Sequence, residues 1–259
     1  MNGREQPVAC ARDACWWGEA GPCVVIIPTW QERENIALLL SELLALPIPL
    51  EVLVVDDDSP DGTAAIVEEI ANSNPHVHLL LRASERGRGS AGIAGFRQAL
   101  EMGAAVVVEM DADFSHHPSH LPAMLNALYD CDLVIGSRFV SGGADLDRGW
   151  LRQLITRLAG IYVRTLLGLS IRDVSSGYRC FRREALANLD LDGMLSTGPS
   201  VVLEVLYKLI LRGWRVVEVP ITFADRRQGE SKLNLRILLQ SLLMVVKLRM
   251  SVGAASRPR

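Results

Sequence analysis

Net charge is nearly absent: 27 Lys and Arg stand against 30 Asp and Glu, a formal charge of -3 at pH 7. That balance removes any global case for nucleic acid binding, so anion recognition must come from local clusters of Arg and Lys. Cysteine is sparse and odd in number, with five in all. Cys10, Cys15 and Cys23 lie near the start, but no fourth ligand or nearby His completes a zinc pattern. Reduced thiols in a cytosolic protein are the expectation. Residues 1–22 carry Arg4, Glu5, Arg12, Asp13 and Glu19 and no continuous apolar segment, which argues against a signal peptide and for a poorly ordered extension. A membrane span is also missing from Leu235–Met250, whose longest uninterrupted apolar stretch, Leu242–Val246, is far short of the ~20 residues a bilayer requires. With Arg236, Gln240 and Lys247 on one helical face, this segment is expected to lie on a surface of membrane or partner, or to complete the core.

What is present is a chain of 259 residues, 49% hydrophobic, long enough for one sizeable core. The expected organisation is an extension over 1–22, a catalytic domain over 23–234, and an amphipathic helix with a loose tail over 235–259. Val24–Pro28 is a β-branched run ended by proline, and Asn35–Ala45 spaces its leucines as a helix does. Glu51–Asp58 is a second buried strand ending in three acids, followed by SPDGT, whose Pro60 and Gly62 enforce a turn. Helix is expected over Ile66–Asn72 and Gly92–Met102, and strand over Val77–Arg82, Ala104–Met110 and Leu133–Gly136. Regular alternation of this kind implies an α/β fold with a mostly parallel sheet and helices on both faces.

The stretch with most chemistry is VVVEMDADFSHHP, Val106–Pro118: a buried strand that delivers Asp111 and Asp113 into a loop. Hard divalent cations prefer oxygen ligands, and the carboxyl ends of parallel strands share one edge where ligands bind. Asp56–Asp58 fall on the same edge. Carboxylates gathered there repel unless a cation or polar ligand sits among them. Taken alone, such an acidic pair is also explained by capping the next helix. The Gly-rich Arg86–Gly95 lacks the Walker Lys-Ser/Thr and reads as a flexible loop with a tight helix start, phosphate contact being the lesser alternative. Trp150–Leu169 is amphipathic, with Arg152, Arg157 and Arg164 interrupting an apolar face that either is solvated or leans on a membrane. Asp173–Arg183 is a turn in which Gly177 permits a close backbone approach. Glu204, a lone acid among Val and Leu, fits a structural hydrogen bond as well as chemistry. Phe223–Leu233 gathers Arg226, Arg227 and Lys232 around Gly229, a basic loop able to close over a diphosphate.

The succession VIIPTWQERENI, VLVVDDDSPDGT, EMDADFSHHP, IGSRFVSGG, DVSSGYRCFRREAL and EVPITFADRRQGESKL resembles the family 2 glycosyltransferases of the Rossmann-like GT-A fold. Within them it resembles the dolichol- or polyprenol-phosphate mannosyltransferases, over about Val24 to Leu233. The resemblance implies GDP-mannose as donor, polyprenyl or dolichyl phosphate as acceptor, Mg²⁺ or Mn²⁺ as cofactor, and inversion at the anomeric carbon. It implies that Pro28, Trp30, Glu32, Val55 and Asp57 line the nucleobase and ribose pocket. Asp111, Ala112 and Asp113 then hold metal and diphosphate, and Arg138, Arg152 and Thr156 bind the acceptor phosphate. Arg226 and Lys232 clasp the donor phosphates, with Asp113, Arg138 and Arg226 carrying the catalysis. The implied location is peripheral, on the cytoplasmic face of a membrane, directly or through a membrane-anchoring subunit. This chain departs from the family pattern at Trp30, usually tyrosine, at Asp58, often Asn or Gly, at Ser90–Gly92, and at Ser115, where a longer polar side chain is usual. The aromatic-glutamine pair that often precedes the residue matched by Glu204 is also missing. Within enzymes, transfer of glucose from UDP-glucose is the nearest alternative; outside them, a catalytically silent subunit.

Overall fold

The computed structural model describes residues 15–84, 86–146, 149–196, 198–224 and 235–252, with side chains of the last segment described over 242–251. In chain order the strands are β1 Cys23–Thr29, β2 Leu50–Asp56, β3 Val77–Leu81, β4 Val106–Glu109, β5 Leu133–Ser137, β6 Ala144–Asp145, β7 Arg179–Arg182, β8 Val216–Pro220 and β9 Thr222–Phe223. The helices are α1 Ile36–Leu44, α2 Thr63–Ser73, α3 Arg88–Glu101, α4 Leu121–Ala127, α5 Trp150–Leu167, α6 Arg183–Ala187, α7 Val201–Leu211 and α8 Leu235–Val252.

Among the described residues, seven strands form one sheet in the order β3-β2-β1-β4-β7-β5-β8. Every neighbouring pair is parallel except those made by β7, which runs antiparallel to both β4 and β5. The expected mostly parallel sheet covered on both faces is therefore present, with one reversed strand inside it. Period-two alternation assigns each side chain to a layer. Cys23, Val25 and Ile27 of β1, with Val52 and Val54 of β2, face the layer under α1, α2 and α4. Val24, Ile26, Leu53 and Val55 face the opposite layer, covered by α3, α5, α6 and α7 and by Val245 and Leu248 of α8. α1 buries Ile36, Leu39, Leu40 and Leu43, an i, i+3, i+4, i+7 stripe that fixes its rotation on the sheet.

Three expectations are corrected. The extension does not run to residue 22, because Cys15 and Trp17 are buried in the first layer and Trp16 stacks under the Arg182 guanidinium. Two adjacent indoles carry too much apolar surface to be left in water once a sheet face is available. Much of the Gly-rich segment is helix: α3 starts at Arg88, with Gly87 at φ +138° opening it. Gly95 is needed there because a Cβ would lie 3.2 Å from both Ile26 and Val55, so α3 rides close on the sheet. Finally, the segment read as a turn over Asp173–Arg183 contains β7. Glu204 has a structural role: its buried carboxylate accepts from the N–H groups of Leu195 and Ser196 at 2.9 and 2.8 Å and pairs with Lys208.

Candidate active site

The carboxyl ends of β1, β2 and β4 meet on one rim, and each acid there has a different task. Asp56, fully buried, accepts from Thr29 Oγ1 at 2.7 Å and from the Ser59 amide and hydroxyl at 2.7 and 2.8 Å, which closes the SPDGT turn onto β1. Asp57 receives Arg82 Nη1 and the Gly87 amide, both at 2.6 Å, and so ties the loop before α3 to β2. Asp58 stands outside at φ +59° and pairs with Arg86, whose guanidinium lies 5.1 Å over the Trp30 ring. Pro28 is buried at the end of β1 and Trp30 is half-buried beside it. The amide of Glu32 donates to Thr63 Oγ1 at 3.0 Å, and its carboxylate accepts from Asn35. Pro28, Trp30, Glu32 and Asp57 thus share the rim, whereas the Val55 side chain turns into the core and only its carbonyl faces Thr29.

At the end of β4 the acidic density is highest. Glu109 is buried and takes Arg88 Nη1 at 2.5 Å; Asp111 is 35% exposed and takes Arg88 Nη2 at 3.0 Å. Burial opposes the Arg88 charge, but Glu109 and Asp111 outweigh it and raise its pKa above the ordinary arginine value. Gly177 makes this approach possible, since a Cβ would lie 3.0 Å from Arg88 Nη2 and 3.7 Å from Asp111 Oδ2. Ala112 is buried, and Asp113, 4% exposed, accepts from the amide and hydroxyl of Ser115. The Asp111 amide donates to His116 Nδ1 at 3.1 Å. Burial lowers the His116 pKa, so the ring is neutral and its other nitrogen carries the proton.

Glu109, Asp111 and Asp113 stand against Arg88 and the buried Arg179, which lies opposite Glu109 in the sheet, so this strand end keeps a net negative charge, and its ligands are hard oxygens, which suit a divalent cation. Among the described residues no group of three His, Cys, Asp or Glu is arranged to hold a metal. Two carboxylates suffice for Mg²⁺ or Mn²⁺ when substrate phosphates complete the shell, so Asp111 and Asp113 fit a metal that arrives with a diphosphate.

The rim continues without a break to a cationic side. His116 stacks on Tyr178 at 5.2 Å and meets Phe223 edge-on at 5.8 Å. The Arg138 guanidinium lies 4.9 Å from the centre of the same Phe223 ring. Arg138, 8% exposed, is held by a bidentate pair with Asp173, both contacts at 2.7 Å, and by Ser175 Oγ at 2.8 Å. Burial pushes the Asp173 carboxyl up, but the hydrogen bonds and charge of Arg138 hold it below the usual carboxylate range. Arg152 and Thr156 stand half-buried on the first turns of α5, the threonine hydroxyl donating to the Arg152 carbonyl. Arg226 and Lys232 lie outside the described residues, directly after β9.

Comparison with known protein families matches residues 24–190 to the one described as Glycosyl transferase family 2. The chain belongs to the family 2 glycosyltransferases. A polyprenol monophosphomannose synthase of Mycolicibacterium smegmatis is 44% identical to this glycosyltransferase over 82% of the chain and 80% of its own length. A dolichol-phosphate mannosyltransferase of Saccharomyces cerevisiae is 35% identical over 86% of the chain and 85% of its own length. Among solved structures, a glucosyl-3-phosphoglycerate synthase of Mycobacterium tuberculosis with Mn²⁺, UDP-glucose and glycerol 3-phosphate superposes with a TM-score of 0.62. At 19% identity over 92% of this chain and 82% of that one, the likeness supports the shared GT-A-like fold.

Within this glycosyltransferase, sequence reasoning missed Arg88, Glu109, His116 and Asp173 as site residues. The only local signal for Arg88 was its place in a Gly-rich segment between a strand and an apolar helix. Asp173 offered none, since its partner is 35 positions away.

Proposed function

We propose that this glycosyltransferase moves mannose from GDP-mannose to a polyprenyl phosphate, with inversion, at the surface of a membrane. The observation that supports the reading is that Phe223 contacts both His116, beside the acid rim suited to a metal diphosphate, and the buried Arg138, suited to a phosphate. The 35–44% identical relatives named for transfer of mannose to polyprenol or dolichol phosphate support both the sugar and the acceptor.

The chemistry needs no general base, because a phosphate monoester with a second pKa of ~6 is largely ionised at neutral pH. Arg138, immobilised by Asp173, aims the acceptor oxygen; positioning and charge then supply the catalysis. Arg152 and Thr156 complete the acceptor site, and Pro28, Trp30, Glu32 and Asp57 hold the nucleoside. Asp111 and Asp113 would hold the divalent cation, which stabilises charge on the departing diphosphate when bound. Arg226 and Lys232, which follow β9 in the sequence, add positive charge.

Peripheral binding at a cytoplasmic face fits the exposed apolar side of α5, where Trp150 is 76% and Leu158 56% exposed. No helix among the described residues is long and apolar enough to cross a membrane.

The test offers GDP-mannose and UDP-glucose together to the protein with a polyprenyl phosphate and Mg²⁺ or Mn²⁺, and follows products by mass spectrometry. Mannosyl phospholipid with GDP release is expected, and Asp111→Ala should abolish it along with metal-dependent donor binding. Glucosyl phospholipid would overturn the donor, and donor binding unchanged in Asp111→Ala would overturn the site.

A further inference from the structure

Past β5 the chain folds back through Phe139 and Gly143, and with the flank of α5 opposite it borders an open cleft of about 470 Å³. Four arginines line it: Arg138, Arg157, Arg164 and Arg172, with Phe139 and Ile161 as apolar wall. The Arg138 charge is matched by Asp173. The other three guanidiniums have no ion pair with any described residue. Arg164 Nε is buried and has no hydrogen-bond partner among the described residues. Arg172 is fixed through its backbone, whose amide donates to Glu218 Oε2 at 2.8 Å, leaving its side chain toward Phe139. Arg157 and Arg172 are exposed and Arg164 is half-buried, so the cleft opens to solvent. Three like charges around it without a counter-ion among the described residues, with a buried unmet donor on Arg164, favour an anion between them.

The position on α5 names the kind of anion. Arg157 and Arg164 are two turns apart on one flank, and Gly160 between them leaves the floor open, since a Cβ there would meet nothing within 4 Å. That flank adjoins the face on which Leu154, Leu158 and Ile161 are 44%, 56% and 50% exposed. Arginines bordering an apolar helix face stand at headgroup depth when that face enters a lipid surface. The volume falls within the ~300–1,000 Å³ of ordinary ligand sites.

We infer that the Arg157–Arg164–Arg172 cavity is a second phosphate site, adjoining Arg138, that takes a lipid-borne phosphate: the headgroup of an anionic phospholipid, or the phosphate of the polyprenyl acceptor before it reaches Arg138. The inference rests on the membrane-surface reading above but not on the identity of the sugar.

The experiment is cosedimentation of the full chain with three vesicles: phosphatidylcholine alone, phosphatidylcholine with phosphatidylglycerol, and phosphatidylcholine with polyprenyl phosphate. Two variants are compared. Gly160→Leu puts an apolar side chain into the cleft between Arg157 and Arg164 while keeping every charge and improving helix propensity; Arg157→Gln/Arg164→Gln/Arg172→Gln removes the charges. Each arginine lost should weaken binding to the phosphate-bearing vesicles about fivefold, from ~1 kcal/mol per basic residue at an anionic surface. Gly160→Leu should weaken it as well, which a diffuse charge effect would not do. Loss on phosphatidylglycerol identifies a phospholipid headgroup, and loss confined to polyprenyl phosphate identifies the acceptor. Unchanged binding of Gly160→Leu to both overturns the site, as does an equal loss on phosphatidylcholine alone. Failure of the unaltered chain to bind any vesicle overturns it together with the membrane reading, while product formation in detergent would leave the glycosyltransferase reading standing.

Discussion

Asp173 fixes the orientation of the Arg138 guanidinium through two contacts of 2.7 Å. A guanidinium 8% exposed, flanked by Phe139 and Phe223, is stable there because a carboxylate is fixed against both of its arms. Removing one partner of a buried pair strands the other charge, so Asp173→Ala should cost about 3–5 kcal/mol of stability, read by denaturant unfolding. The pH dependence follows from the lowered Asp173 pKa. The folded state binds the proton more weakly than the unfolded one, so the stabilisation is present above the unfolded value of ~3.9 and is lost as pH falls through the folded value. Unfolding free energy measured from pH 7 to pH 3 should fall less steeply in Asp173→Asn than in the native chain. An identical slope would show that the pair contributes nothing to acid sensitivity.

At the level of elements, the backbone fold near Arg138 is as exacting as its counter-ion. Gly143 passes so close to the end of β5 that a Cβ would lie 2.5 Å from the Ser137 carbonyl oxygen and 2.8 Å from the Arg138 carbonyl carbon. Gly143→Ala must displace one of these backbones, and a shift of ~1 Å at a positioning group costs as much as a hundredfold in rate. Turnover should therefore drop by that order while Mn²⁺ binding at Asp111 and Asp113, followed by paramagnetic resonance, stays unchanged. Loss of both together would place the effect on folding instead. This region also marks where the sequence stopped being legible. Asp111 and Asp113 could be read because an apolar strand and its acids are contiguous, and the alternation of strands and helices fixed the rim they share. Arg88 with Asp111 and Arg138 with Asp173 could not, since these pairs join residues 23 and 35 positions apart that only the tertiary fold brings together. Nothing in the short RCFR run announces its direction or its neighbours. The two tryptophans at 16 and 17 did carry a signal of burial, but they sat in a segment otherwise polar enough to be read as loose.

The molecule as a whole is asymmetric in its surface. Apolar side chains of α5 stand exposed beside Leu243 and Met250 of α8, and Tyr162 Oη reaches the Leu242 carbonyl at 3.4 Å, which holds the two helices together. A buried side, with Val163 and Leu167 on α5 and Val245 and Leu248 on α8, fastens both to the core. Leu154→Glu/Leu158→Glu leaves that buried side intact, so it should keep the thermal midpoint within a few degrees, as surface substitutions within ~0.5 kcal/mol do. Binding to phosphatidylcholine vesicles should fall at least tenfold, given about 1.5–3 kcal/mol for each large apolar side chain kept from burial. Sedimentation equal to that of the native chain would remove α5 as the contacting face.

The order of strands also bears on how the chain is made. β1 to β4 can pair as soon as they leave the ribosome, but β5 emerges before either β7 or β8, the two strands beside it in the sheet. For some forty residues of synthesis it has no place to dock, and Arg138 at its end waits as long for Asp173. The half that carries Asp57, Asp111 and Asp113 is therefore finished first, and one late segment, residues 173–182, both closes the gap in the sheet and supplies Arg138 with its counter-charge.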